Sequence, residues 1–282
     1  MKNWLVTTQW LAQHIDDPQI VVLDCSWHLP DTGKFAVDDF LQGHIPGARF
    51  ADLNVISDQA SPYVNMLPDA AHFSQQVGAL GVGNETHVVI YDAGYVSARL
   101  WWMFRVFGHE RVSILDGGWR KWRAEDRSVA TGPAEPVAPK EFSAKADHSR
   151  IATLVDVKAA LNASQTTIVD ARTPARFDGT EGSGYPGVPG GYMPGAINTH
   201  WGKFFDADNN HVFVSPERAA EVFSEAGADI DGDVITTCGS GVTAAILGFM
   251  IEQLGNANWR LYDGSWHEWG QQDDTVKLRK EP

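Results

Sequence analysis

The chain has 282 residues, enough for two domains of roughly 100–150 residues that each bury their own core. A hydrophobic content of 43%, with 11 tryptophans and 13 phenylalanines, suits a folded globular protein, and no segment approaches the ~18 apolar residues of a membrane span. The formal net charge of −14 argues against nucleic acid or an anionic membrane as partner, so an anionic substrate has to be attracted by local features.

The N-terminal stretch "MKNWLVTTQWLAQHIDD" lacks the apolar core and small-residue cleavage site of a secretion signal, which points to the cytoplasm, where thiols stay reduced. Residues 20–27, "IVVLDCSW", read as a β-branched strand, and Cys25 inside it reads as a buried residue. The turn "GHIPGA" (43–48) and the helical stretch "PDAAHFSQQVGALG" (68–81) follow, then a second strand signal in "HVVIYDAG" (87–94). Trp101, Trp102, Met103, Phe104, Val106 and Phe107 sit at the spacing of a core-facing helix, and Arg99 beside them reads as a structural ion-pair partner. After "LDGGW" (115–119) the pattern stops. Residues 131–150 carry three prolines and no period, which marks a linker.

Beyond the linker the chain repeats itself. "TIVDART" (167–173) answers "IVVLDCSW", "GYMPGA" (191–196) answers "GHIPGA", "DVITTCGS" (233–240) answers "HVVIYDAG", and "YDGSW" (262–266) answers "LDGGW". From Asp24 to Asp170, Gly43 to Gly191, His87 to Asp233 and Leu115 to Tyr262, the offsets are 146, 148, 146 and 147 residues. Four matches held in register imply a tandem duplication. Within each half, short strands alternate with helical stretches such as "SPERAAEVFSEAGA" (215–228), which predicts a mostly parallel sheet with helices on both faces. The expected division is a first domain over 1–133, a linker over 134–150 and a second domain over 151–282. Asp24 and Asp170, each closing a strand, are expected to hold backbone N–H groups in turns.

The stretch "DVITTCGSGVTAAILGF" (233–249) carries the chemistry. Val234 to Thr237 reads as a buried strand and Ala244 onward as an apolar helix, so Cys238 heads the turn between them, at the strand end where open parallel sheets bind ligands. Gly239 and Gly241 let residues 238–243 curl until successive N–H groups point inward above a helix N-terminus, a nest that can hold a thiolate. The matching position in the first half is Asp92, so only one half carries the thiol. A phosphatase also uses a cysteine-headed loop but needs an arginine clamp at its end, where this chain has Ala244 and Ala245. From residue types alone Cys238 is either a nucleophile or an inert buried hydrophobe. The ten histidines and two cysteines show no metal-ligand spacing, so no metal or other cofactor is expected.

The loop "CGSGVTA" (238–244), the repeated "GHIPGA"-type turn, "SPYVNMLP" (61–68), "DGGW" and the two halves resemble the two-domain rhodanese-like sulfurtransferases, and the loop is similar to that of the 3-mercaptopyruvate sulfurtransferases. That resemblance implies a first domain without catalytic residues and a second in which Cys238 attacks a donor sulfur, becomes a persulfide, and passes the sulfur to cyanide or to a thiol such as a small thiol or thioredoxin. It gives Gly239, Ser240, Gly241, Val242 and Thr243 as the loop that holds the sulfur, and Arg176 in "TPARFDGT" as the partner of a donor carboxylate. Thiosulfate-using members place basic side chains inside the loop; this one is neutral, which favours 3-mercaptopyruvate. Three positions depart from the pattern: a second arginine aligns with Tyr185, and the Asp and His that accompany the loop serine align with Asn54 and Asn65. A thiosulfate:cyanide sulfurtransferase and a non-enzymatic sulfur carrier or protein-binding module are the alternative functions.

Overall fold

A computed structural model describes residues 4–29, 32–161 and 165–280; residues 1–3 and 281–282, the outer ends of the two expected domains, lie outside it. The strands of the first half are β1 (Leu5–Val6), β2 (Ile20–Asp24), β3 (Arg49–Phe50), β4 (His87–Tyr91) and β5 (Val112–Leu115). Those of the second are β6 (Ile151–Ala152), β7 (Thr166–Asp170), β8 (Ile197–Asn198), β9 (Phe205–Asp206), β10 (Val212–Phe213), β11 (Asp233–Thr237) and β12 (Trp259–Tyr262). Among the described residues they form two five-stranded sheets, ordered β1-β5-β4-β2-β3 and β6-β12-β11-β7-β8, with every pairing parallel. The two orders are the same order written twice, as the duplication requires. β9 and β10 form a separate antiparallel pair.

The helices are α1 (Thr8–His14), α2 (Ala36–Gln42), α3 (Leu53–Ile56), α4 (Ala70–Ala79), α5 (Ser97–Val106) and α6 (Gly118–Ala124) in the first half. The second half has α7 (Leu154–Ala160), α8 (Pro174–Asp178), α9 (Pro216–Ala226), α10 (Ala244–Gln253) and α11 (Ser265–Trp269). Side chains of a strand alternate between faces, so each sheet buries two sets. Val21, Leu23, Val88 and Ile90 share a core with Phe73 of α4 and Trp101 and Phe104 of α5, while Val22, Val89 and Tyr91 pack with Leu11 of α1, Phe40 of α2 and Trp122 of α6. In the second domain Val169, Val234 and Leu261 face α9 and α10, and Ile168, Ile235 and Tyr262 face Val157 of α7 and Trp266 and Trp269 of α11.

Every residue of α5 is buried, as are Ala244 to Ile251 of α10, because these two helices pack against each other between the sheets; Trp101 meets Phe249 edge to face at 4.9 Å. One continuous core therefore spans both halves. The proline-rich connection is also fixed: Lys140, Lys145 and Asp147 donate backbone N–H groups to Gly78, Phe107 and Val106, and Phe142 is buried in the first domain's core. No described helix is long and apolar enough to cross a membrane.

Candidate active site

β11 starts at Asp233, one residue before the sequence reading, and ends at Thr237; α10 begins at Ala244, so the loop is residues 238–243 as expected. Register places Thr237 beside Asp170, which sets the loop at the carboxyl edge of the two central strands of its sheet. Cys238 is buried there. Its backbone is clamped by α11: Cys238 N–H donates to Ser265 Oγ at 3.2 Å, while Trp266 and His267 N–H donate to the carbonyls of Cys238 and Gly239 at 3.0 and 2.9 Å.

The two glycines have different reasons. Gly241 has φ +78°, and a Cβ there would stand 2.9 Å from Arg99 Nη1 and 3.0 Å from Asp263 Oδ1. A Cβ on Gly239 would stand 2.6 Å from the Tyr185 hydroxyl. Among the described residues, none of the backbone amides of 239–243 donates to a protein acceptor.

The first half shows what such a loop does with its amides. Asp92 occupies the position of Cys238, after β4 and before α5. Its Oδ2 accepts from the N–H groups of Val96 at 2.8 Å and Ser97 at 2.5 Å, and also from the Ser97 hydroxyl; its Oδ1 accepts from Gly94 N–H. Shifted by the 146-residue repeat, those three amides are Ser240, Val242 and Thr243. Cys25 is placed differently. It lies one residue beyond β2, fully buried, with its thiol donating to Tyr91 O at 3.5 Å, and burial first, then the charges of Asp92 and Asp24, push its pKa well up. It stays a thiol.

Cys238, Gly239, Ser240, Val242, Thr243 and Arg176 line one cavity of about 330 Å³; Gly241 lies behind the loop instead. Arg176 sits on α8, whose N-terminus is capped by Thr173, and its Nε is 3.3 Å from Glu181 Oε1. Trp27, Leu29 and Tyr95 of the first domain and Tyr185 and Trp201 of the second form the apolar walls. Of these walls only Tyr185 was marked in the sequence, by its alignment with a second arginine; Trp27, Leu29, Tyr95 and Trp201 were not legible as site residues. Tyr185 stacks on His267 at 4.3 Å, and burial, the largest of several influences, pushes its pKa up to about 12.

First-domain groups also brace the loop. Arg99, fully buried, pairs with Asp263 at 2.6 Å and donates to Asn65 O, which bears out the ion-pair reading. Asn65, at φ +61°, donates from Nδ2 to Ser240 Oγ at 3.3 Å, and Val64 N–H donates to His267 Nδ1 at 3.3 Å. Asn54 is not part of this set; its Oδ1 accepts from Trp27 Nε1 at 2.9 Å. Asp24 and Asp170 do hold turn amides, of Ser26 and Arg172, but Asp170 also binds the buried Arg172 guanidinium at 2.7 Å, a pairing absent from the sequence reading.

The rhodanese-like domain family matches residues 7–125 and 153–272. The human 3-mercaptopyruvate sulfurtransferase is 41% identical over 273 residues, covering 94% of this chain and 91% of that protein. The thiosulfate sulfurtransferase of Cricetulus griseus is 38% identical over 274 residues, with the same coverage of 94% and 91%. The crystal structure of SseA from Escherichia coli, a 3-mercaptopyruvate sulfotransferase, superposes with a TM-score of 0.86 at 34% identity, covering 94% of this chain and 99% of that one. Two matched halves, two sheets of one strand order and these relatives together establish that the chain belongs to the rhodanese-like family, with two such domains in tandem.

Proposed function

We propose that the protein is a sulfurtransferase that takes sulfur from 3-mercaptopyruvate on Cys238, as a persulfide, and gives it to a thiol or to cyanide. The observation that carries this reading is the pair of loops. In the first half three amides converge on the Asp92 carboxyl group; in the second half the same three have no protein acceptor among the described residues, and the residue at the position of Asp92 is Cys238. A thiolate or terminal persulfide sulfur is the acceptor that such a nest holds. The relatives named for 3-mercaptopyruvate and thiosulfate support the reaction class. We assign catalysis to the second domain, 151–282, and a scaffold role to the first, 1–133, joined by 134–150.

In the transfer, Cys238 Sγ attacks the donor thiol sulfur, an S–S bond forms, and the C–S bond breaks with its electron pair passing to carbon, so that pyruvate leaves as its enolate. Arg176 is the cation for the donor carboxylate: its Nε faces Glu181, and the two Nη groups of its fork remain to bind two oxygens. The acceptor is a small thiol or a protein thiol such as thioredoxin, in a reducing compartment such as the cytoplasm that keeps Cys238 free. The test is a steady-state comparison of donors. A kcat/KM for 3-mercaptopyruvate above that for thiosulfate supports the assignment, and the reverse order makes the chain a thiosulfate sulfurtransferase.

A further inference from the structure

The enolate that leaves must be protonated, and neither Asn54 nor Asn65, placed where the resemblance puts an acid–base pair, can titrate. We propose that Tyr185 is the proton donor to the departing enolate, acting beside Ser240; this rests on the sulfur-transfer reading above. Tyr185 is on the wall of the same cavity as Cys238 and Arg176, so its hydroxyl shares the space that the keto acid would occupy. That hydroxyl lies against the loop, near enough that a Cβ on Gly239 would be 2.6 Å from it, and within hydrogen-bonding reach of the Ser240 side chain. The ring is held flat on His267 at 4.3 Å with an interplanar angle of 8°, which fixes where the oxygen points.

Ser240 sets the direction of the hydrogen bonds. Its Oγ accepts from Asn65 Nδ2 at 3.3 Å, which leaves its own O–H to donate toward Tyr185. Tyr185 Oη can accept that proton's hydrogen bond and direct its own O–H into the cavity. Burial keeps this phenol protonated well beyond neutral pH, with its pKa pushed up to about 12, so it enters the reaction as an acid. The step balances. Cys238 thiolate and the donor give Cys238–S–SH and the enolate; the Tyr185 proton goes to the enolate and yields pyruvate. The persulfide S–H then returns a proton to the tyrosinate, leaving the anionic persulfide in the loop. In sequence Tyr185 is marked only as a departure from the resemblance, at the position of a second arginine; its hydroxyl's place against the loop comes from the fold.

Tyr185→Phe keeps the ring on His267 and removes only the hydroxyl. With 3-mercaptopyruvate, kcat should fall by about 10²–10⁴-fold, the range for a positioned acid, with KM changed by less than about threefold. Loading of Cys238 from inorganic polysulfide, whose leaving group is a stable sulfur anion, should stay within about twofold of wild type when followed by mass spectrometry. An equal loss with both donors, a raised KM at unchanged kcat, or no loss with 3-mercaptopyruvate would each overturn the proposal while leaving sulfur transfer intact. A wild type that loads from polysulfide but does not use 3-mercaptopyruvate overturns both this proposal and the donor assignment.

Discussion

At the scale of single residues, two cysteines differ by what surrounds them. Cys25 faces the charges of Asp24 and Asp92 in a closed core, whereas Cys238 opens on a cavity beneath uncommitted amides. Cys238→Ser should abolish sulfur transfer to cyanide from any donor, and Cys25→Ser should leave it largely intact, a contrast that a single colorimetric assay reads. Arg176→Ala should mainly weaken use of the keto acid, because a charge-assisted pair contributes about 1.5–3 kcal/mol, or about 10–150-fold in kcat/KM. Glu181 competes for the same guanidinium, so Glu181→Gln should lower the KM for 3-mercaptopyruvate; an unchanged KM in both variants would move the carboxylate site elsewhere. Asn65→Ala should cost less than about tenfold, since Asn65 orients a hydroxyl and moves no proton.

At the scale of elements, the loop is rigid because the first domain holds it from behind. Arg99→Met would leave Asp263 buried without its partner and Gly241 without its support; loss of one member of a buried pair costs about 3–5 kcal/mol. Denaturant titration should show a loss of that size, and a change under about 1 kcal/mol would mean that the pair is ornamental. The loop also limits what can be engineered. Lysine at Ser240 faces the cavity, but arginine at Gly239 meets Tyr185, so a shift toward thiosulfate should be sought at Ser240 alone. Much of this was legible in the chain: the β-branched run, the two glycines and the apolar helix bracket residues 238–243 without any structure. The repeat offsets also reappear in the strands, with β2 and β7, and β4 and β11, each 146 residues apart. The cavity walls supplied by the first domain were not legible. Trp27 and Tyr95 come from the other half, and an aromatic residue carries no mark in sequence that separates a core position from a pocket wall.

At the scale of the whole molecule, α5 and α10 bury each other, and the connection between the halves lies along the first domain instead of hanging free. The two halves share one core. Calorimetry should show one unfolding transition, because separating the halves exposes Trp101 and Phe249 together; two resolved transitions would contradict a shared core. The second domain expressed alone should be poorly soluble and inactive. It would lack Trp27 and Tyr95 from the cavity and Asn65 and Arg99 from the back of the loop.

The central claim is that Cys238 carries the transferred sulfur, and the most direct measurement is peptide mass spectrometry of the purified protein after incubation with 3-mercaptopyruvate and then with cyanide. The expected result is a gain of one sulfur on the peptide containing Cys238, none on the peptide containing Cys25, and its complete removal by cyanide with thiocyanate formed in equal amount. An unmodified Cys238 with pyruvate still produced, or sulfur fixed on Cys25 instead, would contradict the account.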